Sequence, residues 1–124
     1  MTVFVLKYRV YPTSDDDAAF LSIAADPAPH RANMDRVRPM TIADGLQALR
    51  TVRQPADRWG IAPDRLGILG FSAGGYVAAS AATEYDAESR PSFAAPIYAV
   101  WQERPVPVDA PPLFLAAAGD DELV

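Results

Sequence analysis

The sequence predicts an α/β domain, a mostly parallel sheet of about four strands with flanking helices. Two observations carry that prediction. Four short apolar runs, at residues 3–10, 66–70, 92–100 and 113–118, are separated by helical segments or by a proline-rich connector. The second run passes directly into Gly70-Phe71-Ser72-Ala73-Gly74 and then into a small-residue stretch, so strand, tight turn and helix follow without a break. All 124 residues are read as one domain, large enough for a single core but small for an enzyme with a covered sheet.

Residues 3–10 are β-branched and aromatic, and Val3-Phe4-Val5-Leu6 suits a strand buried on both faces. Residues 13–39 are the least regular part of the chain. Asp15, Asp16 and Asp17 read as a solvated turn or helix start, and no glutamate follows in register for a calcium loop. Residues 18–25 form a short helix in this reading, ended by Pro27 and Pro29. His30, the one histidine, then falls in a surface loop upstream of the serine. Thr41-Ile42-Ala43-Asp44 resembles a capping box with the shorter acid. Ile42, Leu46, Leu49 and Ala56 follow at helical spacing until Pro55 breaks the helix after about Arg53. Trp59-Gly60 closes this region, with Trp59 as a core or helix-end anchor.

The second strand leads into the turn around Ser72. Gly70 and Gly74 are expected to leave room where a side chain would clash, and Gly75 to let the helix at 73–83 lie close on the sheet. Residues 84–91 are a polar loop. Residues 92–100 form the third strand, with a bend or fraying expected at Pro96. Residues 101–112 hold four prolines and read as an extended connector, and residues 113–118 form the fourth strand before Gly119-Asp120-Asp121.

Strand, Gly-x-Ser-x-Gly and helix in that order is the context of a nucleophile elbow. In an open parallel sheet reactive groups gather at the carboxyl ends of the strands. Ser72 and the Asp120-Asp121 pair therefore share one rim, although an aspartate pair after a strand also reads as a plain solvated turn. A serine hydroxyl needs a base to become a nucleophile, and His30 does not fit that position. The glycine-rich turn matches neither the dinucleotide fingerprint nor the P-loop, so phosphate binding is a minor alternative.

Composition narrows the partners. Half the residues are hydrophobic (50%) and 22% are charged, an ordinary globular balance. The net charge of -5 gives no footprint for nucleic acid or an anionic membrane. There is no cysteine, hence no disulfide framework and no thiolate metal site. No apolar run is long enough to span a bilayer, and the N-terminus lacks the features of a signal peptide, which slightly favours the cytoplasm. Both ends read as cut rather than finished.

Phe4-Val5-Leu6-Lys7-Tyr8-Arg9, Arg58-Trp59-Gly60-Ile61-Ala62-Pro63-Asp64-Arg65-Leu66, Gly70-Phe71-Ser72-Ala73-Gly74-Gly75 and Pro111-Pro112-Leu113-Phe114-Leu115 together resemble the α/β-hydrolase superfamily. The likeness is greatest to its acetyl esterase and acetylxylan esterase branch, including feruloyl-esterase-like members. The resemblance implies a partial α/β-hydrolase fold and a serine carboxylic-ester hydrolase working through an acyl-enzyme. It implies no metal or organic cofactor, and a small-molecule or carbohydrate ester as substrate. Ser72 is then the nucleophile and the backbone N–H of Ala73 an oxyanion-hole donor. Asp121 is the triad acid, because Asp121-Glu122-Leu123-Val124 matches the pattern Asp-x-x-Val, and Asp120 is the second choice. The chain departs from the branch in lacking a His-Gly-Gly-Gly-type segment, in carrying Tyr76 where histidine is frequent, and in having no histidine after its fourth strand. The fold also places a further strand between the first strand and the elbow strand. Without it, strand edges are left for self-association. The alternative to an impaired esterase is a non-catalytic hydrolase-like scaffold or small-molecule-binding domain.

Overall fold

Continuity of strand, turn and helix around Gly70 and Ser72 organises the fold. The computed structural model describes residues 1–13, 15–25, 27–100 and 103–121. Its elements are α1 (Asp17–Ala25), α2 (Pro27–Arg53), α3 (Ala56–Trp59), β1 (Ile68–Phe71), α4 (Ala73–Ala81) and β2 (Ala94–Ile97). β1 and β2 pair in parallel, with Ile68 opposite Ala94 and Phe71 opposite Ile97. The crossover between them is α4, as parallel neighbours require. α4 lies on the sheet and α2 lies on α4, giving three layers. Ala78, Ala79, Ala81, Ala82, Ala94 and Ala95 are buried where these layers meet, so the core is built largely from small side chains that let backbones approach. Gly75 marks a close approach of α4 to β2: a Cβ there would stand 2.9 Å from the Ile97 carbonyl oxygen.

The sheet has two strands among the described residues, not about four. Residues 3–10 form no strand. A strand is stabilised by ladder bonds to a neighbour, and among the described residues none runs beside this segment. Val3, Val5 and Val10 are exposed rather than buried on both faces. The segment is held by side chains instead. The Arg9 guanidinium and N–H donate to the Asp44 carboxylate on α2, and the Thr41 hydroxyl donates to the Arg9 carbonyl at 2.9 Å. Phe4 packs edge-on against Trp59 with ring centroids 5.5 Å apart, which makes Trp59 a half-exposed helix-end anchor.

Residues 113–118 are the second departure. They meet β2 in two isolated parallel bridges, Ala94 with Leu113 and Ile97 with Ala116. Ala94 N–H donates to the Pro112 carbonyl at 3.0 Å and Tyr98 N–H to the Ala116 carbonyl at 2.6 Å. The donor between them on that side of β2 would be residue 96, which is proline and has no N–H. Pro96 thus lies inside β2, opposite Gly70, because its lost donor faces residues 113–116 and not β1. It leaves β2 intact and interrupts the next ladder.

The helical half departs from expectation in its first part. The predicted short helix at 18–25 is α1, which ends at Ala25 as expected, but a second helix, α2, begins at Pro27 where irregular chain was expected. Proline costs little in a first helical turn, where N–H groups have no intrahelical acceptor. His30 therefore belongs to α2 and not to a surface loop, and its side chain lies outside the described residues. Thr41 is not a cap. It sits within α2, where its hydroxyl contacts the Val37 carbonyl at 3.1 Å. Val37, Thr41 and Leu49 line the buried face. α2 ends at Arg53 as expected, and Gly60, in the left-handed conformation, closes α3. At its end Arg50 pairs with Asp86, while Arg53 donates to the carbonyls of Pro63, Glu88 and Arg90. These contacts tie α2 to the chain entering β1 and to the loop before β2.

Candidate active site

Ser72 stands where β1 becomes α4, with φ 50° and ψ -117°. A non-glycine residue at positive φ is uncommon, and such strain persists only where the surroundings over-determine it. Here they do. Ser72 N–H donates to the Ile97 carbonyl at 3.0 Å, and Tyr76 N–H donates to the Ser72 carbonyl at 2.9 Å, closing the first turn of α4. A Cβ on Gly70 would collide with the carbonyl of Gly74, so only glycine fits beneath the turn. Gly74 itself does not have the role expected for it, because a Cβ there would meet nothing within 4 Å.

This backbone has a chemical consequence. Serine at a helix N-cap ordinarily spends its hydroxyl on the N–H groups of the first turn. Ser72 occupies that position, yet its side chain makes no capping hydrogen bond and the residue is exposed. Ala73 opens α4, and the first N–H groups of a helix have no intrahelical acceptor. The turn thus presents a hydroxyl beside a helix N-terminus, where the dipole favours negative charge.

Asp121 follows the bridged segment 113–116 and a turn at 119–120. It is half-buried, with its N–H donating to the Ala118 carbonyl at 3.3 Å, whereas Asp120 is exposed. Glu122, Leu123 and Val124 lie outside the described residues. With β1, β2 and residues 113–116 side by side and parallel, Ser72 and Asp121 leave the sheet at the same edge. β2 lies between their segments, an interval of about 10 Å at ordinary strand spacing. His30, in α2, is not part of this edge sequence of strand ends.

Sequence reasoning missed Tyr98. It follows β2 at φ 37°, the other non-glycine residue at positive φ among those described, and its ring packs on Phe71 with centroids 5.9 Å apart. Nothing in a tyrosine signals a left-handed backbone; Pro96 two residues earlier is the available hint, and it reads as a bend or fraying. Tyr76 is buried and has the Arg38 and Arg104 guanidinium groups within 5.4 Å and 5.3 Å of its ring centroid. Arg104 also donates to the Ser80 hydroxyl at 3.0 Å and pairs with Glu84. A cavity of about 520 Å³ adjoins this group, lined by Tyr76, Thr83, Glu84, Glu103, Arg104 and Pro105. None of the expected site residues lines it. No cluster of acidic or histidine side chains among the described residues is arranged to hold a metal ion.

A family model described as BD-FAE matches residues 22–103, well over half of the chain and including the whole β1–α4–β2 unit. The chain belongs to the BD-FAE family. That is an esterase family of the α/β-hydrolase type. It is similar to an acetylxylan esterase of Xylanibacter ruminicola, 40% identical over 63 residues, which make up 51% of this chain and 13% of that protein. It is also similar to the crystal structure of MGS-M1, an α/β hydrolase enzyme from a Medee basin deep-sea metagenome library. That match has a TM-score of 0.54 and 31% identity, and covers 64% of this chain and 36% of the other. This BD-FAE chain therefore spans about an eighth of the curated relative and about a third of the solved one.

Proposed function

We propose that this chain carries the nucleophile and acid of a serine carboxylic-ester hydrolase of the acetyl-esterase kind, and that as 124 residues it turns over poorly. The observation that carries the reading is Ser72, held at φ 50° on a strand-to-helix turn with its hydroxyl unspent on capping. In the reaction its Oγ attacks the ester carbonyl and forms a tetrahedral oxyanion, to which the Ala73 N–H donates. Collapse breaks the bond to the alkoxide oxygen, which leaves as the alcohol with the proton that Oγ gave up; water then hydrolyses the acyl-serine and returns a proton to Oγ. Asp121 has the role of orienting and charge-balancing a histidine between itself and Ser72. The one histidine in the sequence, His30, belongs to α2 and precedes the nucleophile strand, so no strand end among the described residues brings a histidine to the rim. No cofactor enters the proposed steps. Small-molecule or carbohydrate esters are the proposed substrates, acetylated sugars first, since the similar curated protein is named an acetylxylan esterase.

Removing a triad member lowers kcat by about four orders of magnitude or more while leaving a residue of catalysis from the remaining parts. The expected result with a fluorophosphonate probe is slow covalent labelling that maps to Ser72 and disappears in Ser72→Ala. Labelling as fast as that of an intact esterase would sink the claim of impaired turnover, and labelling that survives Ser72→Ala would sink the nucleophile. The second reading, a non-catalytic hydrolase-like scaffold, is favoured by the position of His30 and predicts neither labelling nor Ser72-dependent hydrolysis of 4-nitrophenyl acetate.

A further inference from the structure

We infer that Tyr98 is a positioning residue, and that the peptide unit joining Ile97 to Tyr98 is the strut that holds the nucleophile turn and the acid-bearing segment in register. The assignment rests on the reading of Ser72 and Asp121 given above. A trans peptide points its carbonyl and its N–H in opposite directions, and this unit uses both at the rim. Its carbonyl, from Ile97, accepts the Ser72 N–H at 3.0 Å. Its N–H, from Tyr98, donates to the Ala116 carbonyl at 2.6 Å, on the segment that leads to Asp121.

Every interior peptide of a central strand can bridge its two neighbours; this one is set apart by the donor missing beside it. The preceding candidate for that side is residue 96, and proline supplies no N–H. The main-chain donor from β2 to residues 113–116 at the rim end is thus Tyr98 alone among the described bonds. Tyr98 makes that bond from φ 37°, a conformation that persists in a bulky residue only when it is held there. The Phe71 ring, on the residue before Ser72, packs on the Tyr98 ring and supplies one such restraint. Side chain and main chain of Tyr98 therefore act on the two halves of the site from one point, without either touching a reacting atom.

Two measurements on the full 124-residue chain test this. Amide hydrogen exchange is followed at Ser72 and residue 98, with Ile68 and Ala94 as references at the opposite end of the strands. Fluorophosphonate labelling of Ser72 is followed in parallel. Tyr98→Gly accepts the left-handed backbone but loses the ring. It is expected to raise exchange at Ser72 and residue 98 at least tenfold, to leave Ile68 and Ala94 within twofold, and to slow labelling at least fivefold. Tyr98→Phe, which keeps ring and backbone, is expected to match the parent in both. Phe71→Ala, which leaves Tyr98 in place, is expected to reproduce the two-amide pattern and guards against misfolding of the glycine variant. Unchanged exchange at Ser72 in both Tyr98→Gly and Phe71→Ala overturns the strut, as does a uniform rise at all four amides. Absence of labelling in the parent chain, with the exchange pattern as expected, overturns the nucleophile reading and leaves the strut standing.

Discussion

Ser72 holds an unfavourable backbone so that its hydroxyl faces outward, and that arrangement has a measurable cost. Strain of this kind amounts to about 1–3 kcal/mol. Ser72→Gly, which fits positive φ without penalty, is expected to be more stable than Ser72→Ala by about 1 kcal/mol in urea denaturation, the difference being the relieved strain. The neighbouring glycines separate just as cleanly. Gly70→Ala drives a methyl into the Gly74 carbonyl and is expected to lower stability by about 2–3 kcal/mol. Gly74→Ala, in open space on the first turn of α4, is expected to raise it by about 0.5–1 kcal/mol. Equal losses from the two would contradict the account of the turn.

At the scale of elements, α2 is fastened to its surroundings by charge. The Asp44 carboxyl is held below the usual carboxylate range by its hydrogen bonds from Arg9, and the Asp86 carboxyl lies well below it through Arg50 and Ser89. A carboxyl depressed in the folded state binds fewer protons there than in the unfolded chain. Its stabilisation is therefore complete above about pH 4, the ordinary aspartate value, and is lost as pH falls toward the folded one. Asp86→Asn is expected to flatten the fall in melting temperature between about pH 4 and pH 2 relative to the parent; an unchanged slope would show that the Arg50 contact carries no such linkage. The same elements show what was legible in the sequence. The β1–Ser72–α4 unit was readable because its determinants are local: an apolar run, Gly70 beneath the turn, and a small-residue helix. Residues 3–10 were misread because strand propensity needs a neighbour that local sequence does not supply. The start of α2 was missed because proline, a helix terminator in general, is tolerated in a first turn. Tyr98 was missed because a left-handed tyrosine is dictated by Phe71, Ala116 and Pro96 together, and by no signal of its own.

At the scale of the whole molecule, the sheet is covered on one face among the described residues. α4 covers one face, while Leu69 and Phe71 on β1 and Phe114 and Leu115 beyond β2 remain exposed. Among the described bonds, the N–H groups of Leu69 and Phe71 point away from β2 along an unpaired edge. Exposed apolar edges pair with other chains, so concentration-dependent association is expected in sedimentation velocity. Leu69→Lys should shift the distribution toward monomer, and no shift would place the contact elsewhere. Pro96 gives the same architecture a seam. Because one missing donor interrupts the ladder to residues 113–116, that flap can lift from β2 by breaking a few bonds at either end, leaving the β1–α4–β2 unit zipped. The segment that leads to Asp121 is therefore expected to open separately, at a lower free energy than the β1–α4–β2 unit. Brief proteolysis should cut within residues 113–121 before any site in α4, and Pro96→Ala, which restores an N–H at this buried position without adding a charge, should delay that cut.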